Sequence, residues 1–276
     1  MRVHIEQMKP VLGDREKNLL KMLEAIDKGI ANGEDLIVFP ELCLNGYVLE
    51  DLVFETAIKD VPEILLEKSR EISIIFGAVE MGEEDYPYNT LFYLEDGKVI
   101  YKHRKVYLAN YGMFFEGRYF MSGDKIRAFD TKFGRMAMGQ GEDMMHQSVQ
   151  FILAQDNAKY IFVSAAAPAR LGINKHDISS QWRDILKSSS YLNGVYTIFA
   201  NRVGVEDGIT FFGNSMAVAP NGDIIQEADF MKEGSLSCEL SDRKVRTARI
   251  ATPIFKNENL DLVKREIERI IKGKIN

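Results

Sequence analysis

An apolar segment, Asp35–Pro40, is followed at once by Glu41. A side chain at the end of a strand in an α/β sheet is well placed to face a cleft, where a carboxylate can act as a general base. A solvated loop position is the competing interpretation, and Glu41 alone does not exclude it.

A second polar segment, Tyr101–Phe120, carries Lys105 and Glu116. A run of Lys and Arg commonly marks a solvated strand end, and an isolated Glu116 is typical of a protein surface. Neither residue indicates chemistry by itself, so the hypothesis of a site depends on their combination with Glu41.

Taken together, these segments resemble the nitrilase superfamily of carbon-nitrogen hydrolases, whose signature is Glu, Lys and Cys in that order with a further Glu after the Lys. The stretches Phe39–Leu42, Gly46-Tyr47 and Asn110–Gly112 are similar especially to the glutaminase domain of glutamine-dependent NAD synthetases and to related bacterial amidase-like proteins. The resemblance extends from Val3 to about Gly222, which is most of the chain.

The resemblance implies a role for each of the three charged residues. Glu41 corresponds to the general base, Lys105 to the cation that stabilises the oxyanion, and Glu116 to the second acid, which positions the substrate and the lysine. We therefore expect the three side chains to converge in one cleft.

This sequence departs from the third part of the family pattern at Gly141. In the family, a hydrophobic strand ends in Cys-Glu-Asp followed by Trp and His. Here Glu142, Asp143 and His146 match in place, but Gly141 stands at the position of the thiol. Glycine has no side chain and therefore provides no nucleophile. Residues 138–140 and Met145 also differ from the family pattern, which indicates natural decay or repurposing rather than one engineered exchange.

The nearest candidates for a substitute nucleophile are Gln140, Glu142 and Ser148, and none matches the requirement well. Gln140 is not a nucleophile, Glu142 is a motif residue that already has a structural place, and Ser148 lies two turns into the following helix. A relocated thiol is the fourth alternative. Cys43 follows Glu41 by two residues, so on an extended segment it would point to the same side as the base. The competing interpretation is that Cys43 and Cys238 are inert buried thiols, because no CxxC pair or His cluster indicates a disulfide or zinc site.

The resemblance also implies further pocket residues. Glu142, His146 and Arg202 are assigned to substrate binding, although an ordinary exposed arginine and a hydrogen-bonded core histidine are the alternatives. The segment Ser164–Arg170 is expected to border the pocket. No metal and no cofactor are expected, because no histidine shows ligand spacing.

The elements that must position these residues alternate between strands and helices, as in an α/β protein. Asp96-Gly97 and Asn221-Gly222 predict tight β-turns that link antiparallel neighbours. The expected strands are Asp35–Pro40, Ile72–Glu80, Thr90–Leu94, Lys98–Lys102, Arg135–Gly139, Tyr160–Ala165, Tyr196–Ala200, Ser215–Ala219 and Asp223–Glu227.

Three amphipathic segments predict helices. The first follows the capping candidate Asp14, the second runs from Asp177 to about Asn193 and is anchored by Trp182, and the third begins near Leu260. No linker or repeat divides the chain, so we expect a single domain over residues 1–276. The family resemblance implies that this domain is a four-layer α-β-β-α sandwich.

Composition excludes several classes of partner. The chain has 276 residues, a net charge of -6 and no basic cluster, so nucleic acid and anionic membranes are not expected partners. No apolar run is long enough to span a bilayer, and the N-terminus lacks the zones of a secretory signal, so we expect a cytoplasmic protein.

The sequence predicts a protein with the scaffold of an amide hydrolase and without its nucleophile. The favoured hypothesis is an inactive member that binds a small amide or carboxylate ligand or serves as a structural or regulatory partner. The alternative is an active carbon-nitrogen hydrolase whose nucleophile is relocated or was removed experimentally. In either case the resemblance implies a homodimer or a larger homo-oligomer.

Overall fold

Two six-stranded sheets form the centre of the computed structural model, which describes residues 1–169 and 175–274. The first sheet has the order β14-β1-β2-β3-β4-β5. Its strands are β1 (Arg2–Gln7), β2 (Leu36–Val38), β3 (Ser73–Met81), β4 (Pro87–Glu95), β5 (Lys98–Arg104) and β14 (Gly234–Glu239).

The second sheet has the order β13-β12-β9-β8-β7-β6, and a separate ribbon pairs β10 with β11. Its strands and those of the ribbon are β6 (Phe129–Thr131), β7 (Gly134–Gln140), β8 (Tyr160–Ala165), β9 (Tyr196–Asn201), β10 (Val203–Glu206), β11 (Ile209–Phe212), β12 (Met216–Val218) and β13 (Ile224–Glu227).

Each sheet has a parallel centre flanked by antiparallel strands. In the first sheet β2 pairs in parallel with β1 and β3, and in the second sheet β8 pairs in parallel with β7 and β9. The carboxyl ends of parallel strands meet at one edge of a sheet, where binding sites commonly form. Glu41 follows β2, Gly141 follows β7 and Ala166 follows β8, so the chain brings candidate site residues to these edges.

The helices of the described residues are α1 (Arg15–Ala31), α2 (Leu52–Thr56), α3 (Glu63–Lys68), α4 (Glu116–Tyr119), α5 (Gln147–Gln155), α6 (Lys175–Asn193), α7 (Asp242–Ala251), α8 (Ile254–Asn257) and α9 (Leu260–Lys274), with a 3₁₀ helix at Gly141–Met145. Several of them, including α1, α5 and α6, cover the outer faces of the sheets. Asp14 caps α1 as expected, because its side chain accepts the N–H of Lys17 at 3.1 Å.

Three apolar clusters define the layers. Residues of both sheets, such as Val38 and Phe162, pack together between the sheets. On the outer face of the first sheet, Ile26 of α1 packs against strand residues, and on the outer face of the second sheet Leu153 of α5 and Trp182 of α6 do the same. The expected α-β-β-α sandwich is therefore confirmed, and burial of both faces explains why the inner strands have continuous apolar sequences.

The predicted elements correspond to observed ones with shifted ends. Both predicted turns join antiparallel strands, namely β4 to β5 and β12 to β13. The second helix begins at Lys175 rather than Asp177, and β2 is shorter than Asp35–Pro40 because the chain turns away toward Glu41. Five strands were not predicted, namely β1, β6, β10, β11 and β14.

Candidate active site

The ammonium group of Lys105 lies between two carboxylates. Its Nζ donates to Oε1 of Glu41 at 2.8 Å and to Oε1 of Glu116 at 2.7 Å. The three side chains are buried, with exposed fractions of 2%, 2% and 4% for Lys105, Glu41 and Glu116. The predicted convergence of these residues is confirmed, and we call them the Lys105 cluster.

Glu41 is held by contacts from both sheets. Its Oε1 also accepts the side-chain amide of Asn89 on β4 at 2.7 Å, and its Oε2 accepts the N–H of Ala166 at 3.0 Å. The turn after Glu41 passes directly over Gly77, where a Cβ atom would lie 2.5 Å from the backbone nitrogen of Leu42. A glycine is therefore required on β3 for Glu41 to reach its position.

Glu116 begins α4 and binds three donors. Its Oε2 accepts the N–H of Ala109 at 2.8 Å, and its Oε1 accepts the hydroxyl of Tyr47 at 2.6 Å besides the lysine. These contacts fix the carboxylate from opposite sides, which leaves Lys105 in one orientation.

Burial and charge shift the pKa values of this cluster. Burial alone would lower the pKa of Lys105, but the adjacent carboxylates of Glu116 and Glu41 outweigh it and raise the pKa well above 10.5, so the lysine is a cation. Burial raises the pKa of Glu41, and the charge of Glu116 adds to this effect against the opposing charge of Lys105. Glu41 is therefore a stronger base than an exposed carboxylate, as proton transfer near neutral pH requires.

Gly141 lies beside the cluster at the end of β7. Its φ is +31°, a backbone conformation that side chains disfavour. A Cβ atom built on Gly141 would lie 2.9 Å from Oε2 of Glu41 and 3.3 Å from Nζ of Lys105. A side chain at this position would thus point directly at the base and the cation.

The turn that carries Gly141 is fixed by Asp143, whose side chain is fully buried. One carboxylate oxygen accepts the N–H groups of Val106 and Tyr107 at 3.1 and 2.9 Å, and the other pairs with Nε2 of His103 at 2.8 Å. Although burial opposes it, the contact with His103 lowers the pKa of Asp143. The turn therefore stays ordered around an ionised carboxylate.

A cavity of about 190 Å³ opens in front of Gly141. This volume lies below the roughly 300–1,000 Å³ of sites for drug-sized ligands, which favours a small ligand. The residues that line it are mostly aromatic or small, with three charged groups among them: Glu41, Tyr47, Lys105, Ala109, Tyr111, Phe114, Gly141, Glu142, Met145, Ala166, Ala167, Pro168, Gln181 and Trp182. The expected border at Ser164–Arg170 includes Ala166–Pro168, whereas Arg170 lies outside the described residues.

The residues assigned to substrate binding occupy different places. Glu142 lines the cavity, and its Oε2 accepts the hydroxyl of Tyr111 at 2.6 Å. His146 stacks on Tyr107 with ring centroids 3.6 Å apart and is not among the described lining residues.

Arg202 does not line the described cavity wall either. It is fully buried, and its Nη1 pairs with Oε2 of Glu206 at 2.7 Å, so direct contact of its guanidinium with a ligand stays a prediction. Glu206 supplies the countercharge that a buried arginine needs, while Nε and Nη2 have no hydrogen-bond partner among the described residues.

Of the candidate nucleophiles, Glu142 lines the cavity, whereas Cys43, Gln140 and Ser148 are not among its described lining residues. Cys43 packs against Met22 in the cluster on the helix side of the first sheet, and burial raises its pKa to about 12. Burial likewise raises the pKa of Cys238 to about 12. Ser148 is exposed, and the amide of Gln140 donates to the carbonyl of Asn89 at 3.0 Å. Both cysteines are therefore buried free thiols, as expected, and their inertness stays a prediction.

Two contributors to the site, Asn89 and Tyr47, were not predicted from the sequence. Asn89 is fully buried on β4, a strand that is buried along nearly its whole length, and Tyr47 lies in the loop after Glu41. A signal for Tyr47 existed in the Gly46-Tyr47 pair, but no local pattern distinguishes Asn89 from a solvated residue.

The fold and the arrangement of the Lys105 cluster define the class of protein, and sequence comparison agrees. The chain belongs to the carbon-nitrogen hydrolase family, whose model matches residues 2–250. It is 30% identical over 260 residues to the glutamine-dependent NAD(+) synthetase of Thermotoga maritima, covering 90% of this chain and 43% of that protein. The chain thus spans less than half the length of that relative.

Two further similarities involve proteins of different lengths. A protein named as a hydrolase in the agr operon of Staphylococcus aureus is 27% identical over 273 residues, which cover 96% of this chain and 100% of that protein. The structure of glutamine-dependent NAD+ synthetase from Acinetobacter baumannii in complex with ADP has a TM-score of 0.78 at 26% identity and covers 88% of this chain and 46% of that one.

The described residues, 1–169 and 175–274, show neither a metal-binding cluster nor a membrane-spanning helix. No group of three or more His, Cys, Asp or Glu side chains in these ranges is arranged to hold a metal ion. Within the same ranges, no helix combines the length and the apolar character that a bilayer crossing requires.

Proposed function

We propose that this chain is a catalytically inactive carbon-nitrogen hydrolase homologue that binds a small uncharged amide. The observation that carries the proposal is the position of Gly141, whose missing side chain would point at Glu41 and Lys105. Among the described residues that line the cavity there is no Ser, Thr or Cys. Covalent catalysis needs a nucleophile within reach of the base, and hydroxyl and thiol groups of these three residue types are common ones.

The charges of the site favour an amide over a carboxylate. Two of the three donors of Lys105 are used by Glu41 and Glu116, which leaves the third for a carbonyl oxygen. Oε2 of Glu41 can accept an N–H from the ligand. A carboxylate ligand has no such donor, and it would bring a further negative charge beside Glu41, Glu116 and Glu142.

Binding of propionamide and of propionate, measured by calorimetry, tests the proposal. These ligands have nearly the same shape and differ in charge and in the N–H donor. We expect propionamide to bind at least about tenfold more tightly, and we expect Glu41→Gln to remove most of this preference. Glu80→Gln is the matched control, because Glu80 is a buried carboxylate that pairs with Arg104 and does not contact the Lys105 cluster.

The absence of turnover is measured on the same samples. We expect no ammonia release from propionamide and no acyl adduct by intact mass. Ammonia release that Glu41→Gln abolishes would contradict the proposal and favour the alternative, an active hydrolase with an unusual nucleophile. The intact Lys105 cluster is the observation that supports this alternative.

Self-association and a cytoplasmic location belong to the same proposal. Support for self-association comes from α9, on which several apolar side chains are about half exposed: Leu260, Leu262, Ile267, Ile270 and Ile271. Apolar surface of this extent commonly marks an interaction site. Light scattering of the purified protein would give the size of the oligomer.

A further inference from the structure

A buried ion pair lies behind the Lys105 cluster, between Arg202 after β9 and Glu206 at the end of β10. Nη1 of Arg202 donates to Oε2 of Glu206 at 2.7 Å, and the side chains are 0% and 3% exposed. Cζ of the arginine lies 4.1 Å from the ring centroid of Phe211. The guanidinium is therefore neutralised and covered inside the protein.

The second oxygen of Glu206 holds the loop that contains Tyr47. Oε1 accepts the backbone N–H groups of Tyr47 and Val48, both at 2.7 Å. Gly46 permits this close approach, because it has a φ of +85° and a Cβ atom there would lie 3.0 Å from Oε2 of Glu206. Hydrogen bonds to an ionised acceptor are about twice as strong as neutral ones, so Glu206 restrains this loop firmly.

The restrained tyrosine in turn contacts the Lys105 cluster. The hydroxyl of Tyr47 donates to Oε1 of Glu116 at 2.6 Å, the same oxygen that accepts Nζ of Lys105. A continuous series of polar contacts thus runs from the ribbon β10-β11 to the cation of the site.

We propose that Arg202 and Glu206 are positioning residues, which fix Tyr47 and, through its hydroxyl, the orientation of Glu116 and Lys105. Arg202 is needed because it compensates the buried charge of Glu206. Glu206 is needed because it satisfies two backbone donors that would otherwise be buried without an acceptor. The inference deepens the proposed function, on which its binding measurement rests.

The test compares Glu206→Gln, Tyr47→Phe and the double variant. Tyr47→Phe removes the hydroxyl but keeps the backbone donors, so it separates the two ends of the series. Propionamide affinity is measured in the natural chain. In a Gly141→Cys background, the pH midpoint of iodoacetamide alkylation reports the charge arrangement around position 141. Glu80→Gln again controls for the loss of a buried carboxylate.

We expect each single variant to weaken propionamide binding about tenfold and to move the alkylation midpoint by about half a pH unit or more. The double variant should bind propionamide no more than about twofold more weakly than the weaker single variant. Both changes interrupt the same series of polar contacts, so their effects should not add. If Glu206 had a purely structural role, Glu206→Gln would lower the melting temperature and leave the alkylation midpoint unchanged. Glu206→Gln that behaves like Glu80→Gln in both measurements would overturn the inference.

Two further outcomes, a failure to bind propionamide and a failure of Glu206→Gln to fold, can be told apart from those above. If the natural chain binds no propionamide, the proposed function fails, while the alkylation midpoint still decides the positioning role. If Glu206→Gln does not fold, Arg202→Lys replaces it, since lysine keeps the charge but loses the planar fork. A shifted midpoint in Arg202→Lys supports the inference, and an unchanged midpoint overturns it.

Discussion

The Lys105 cluster and the turn at Gly141 are in contact, yet they differ in what the fold loses when a side chain is removed. Glu41, Lys105 and Glu116 satisfy one another inside the protein, so the loss of one leaves an uncompensated buried charge. A nucleophile at position 141 is small and neutral, and its loss leaves no charge without a partner. Decay can therefore remove the reaction while the charged pocket persists.

The substitution Lys105→Met should give the largest effect that tests this comparison, and the effect is a loss of stability. The change leaves Glu41 and Glu116 buried without their shared cation, so we expect the free energy of unfolding to fall by about 3–5 kcal/mol. Urea denaturation followed by circular dichroism measures it. Lys102→Met is the control, because Lys102 is 43% exposed and its contact with Glu80 contributes about 0–1 kcal/mol. Equal, small losses in both variants would show that the cluster is not mutually dependent.

The second prediction concerns Gly141→Cys, which should restore a reactive thiol but little turnover. The positive φ and the 2.9 Å approach of its Cβ to Glu41 should lower stability by on the order of 1–3 kcal/mol. Misplacement of reacting atoms by about 1 Å costs on the order of a hundredfold in rate. Alkylation rate against pH and hydrolysis of a panel of amides provide the two measurements.

Gly112→Cys is the matched control for this variant. Gly112 also has a positive φ, of +60°, but among the described residues no heavy atom lies within 4 Å of a Cβ at this position. Its thiol should therefore react with an ordinary pH profile. An identical profile at position 141 would mean that Glu41 and Lys105 do not act on the thiol, and efficient amide hydrolysis would mean that only the nucleophile was missing.

The smallest expected effect concerns His4. Like Lys105, His4 is a buried group that lies between two carboxylates. Its ring nitrogens lie 2.6 Å from Glu34 and 2.9 Å from Glu6. Burial opposes the charged form, but the contacts with Glu6 and Glu34 outweigh it and raise the pKa of His4 above 6.5. Because the folded state then binds the proton more tightly, this stabilisation is complete below pH 6.5 and is lost as the pH rises through the folded value.

His4→Gln should accordingly be less stable than the natural chain at pH 5.5, and the difference should shrink toward pH 8. Thermal unfolding across this range gives the comparison. A difference that stays constant with pH would show that protonation of His4 does not contribute.

The sequence predicted the inner strands well because both faces of each sheet are covered. Residues 160–163 form an uninterrupted apolar run, and every residue of Tyr160–Ala165 is buried, as is typical of a strand covered on both faces. β1 and β14 were missed, since β14 is polar and its pairing joins residues such as Val3 and Cys238 that are far apart in the chain. Local patterns contain no information about such a partner.

The same limit applies within the site. Glu41, Lys105 and Glu116 were recognisable from their order and neighbours, whereas the buried ion pair of Arg202 was not. An arginine after a strand has the same local sequence whether it faces a ligand or a buried carboxylate. Its partner Glu206 ends β10, a strand that the sequence did not predict, so the pair was visible only after the ribbon was placed.

The burial of both native thiols has a practical consequence for spectroscopy. Cys43 and Cys238 each have a pKa of about 12 and are buried, so maleimide dyes and nitroxide labels should leave them unmodified in the folded protein at neutral pH. One cysteine introduced on the surface would then carry the label alone, without removal of the native residues. Pairs of such labels on the two helical layers would report distances in solution.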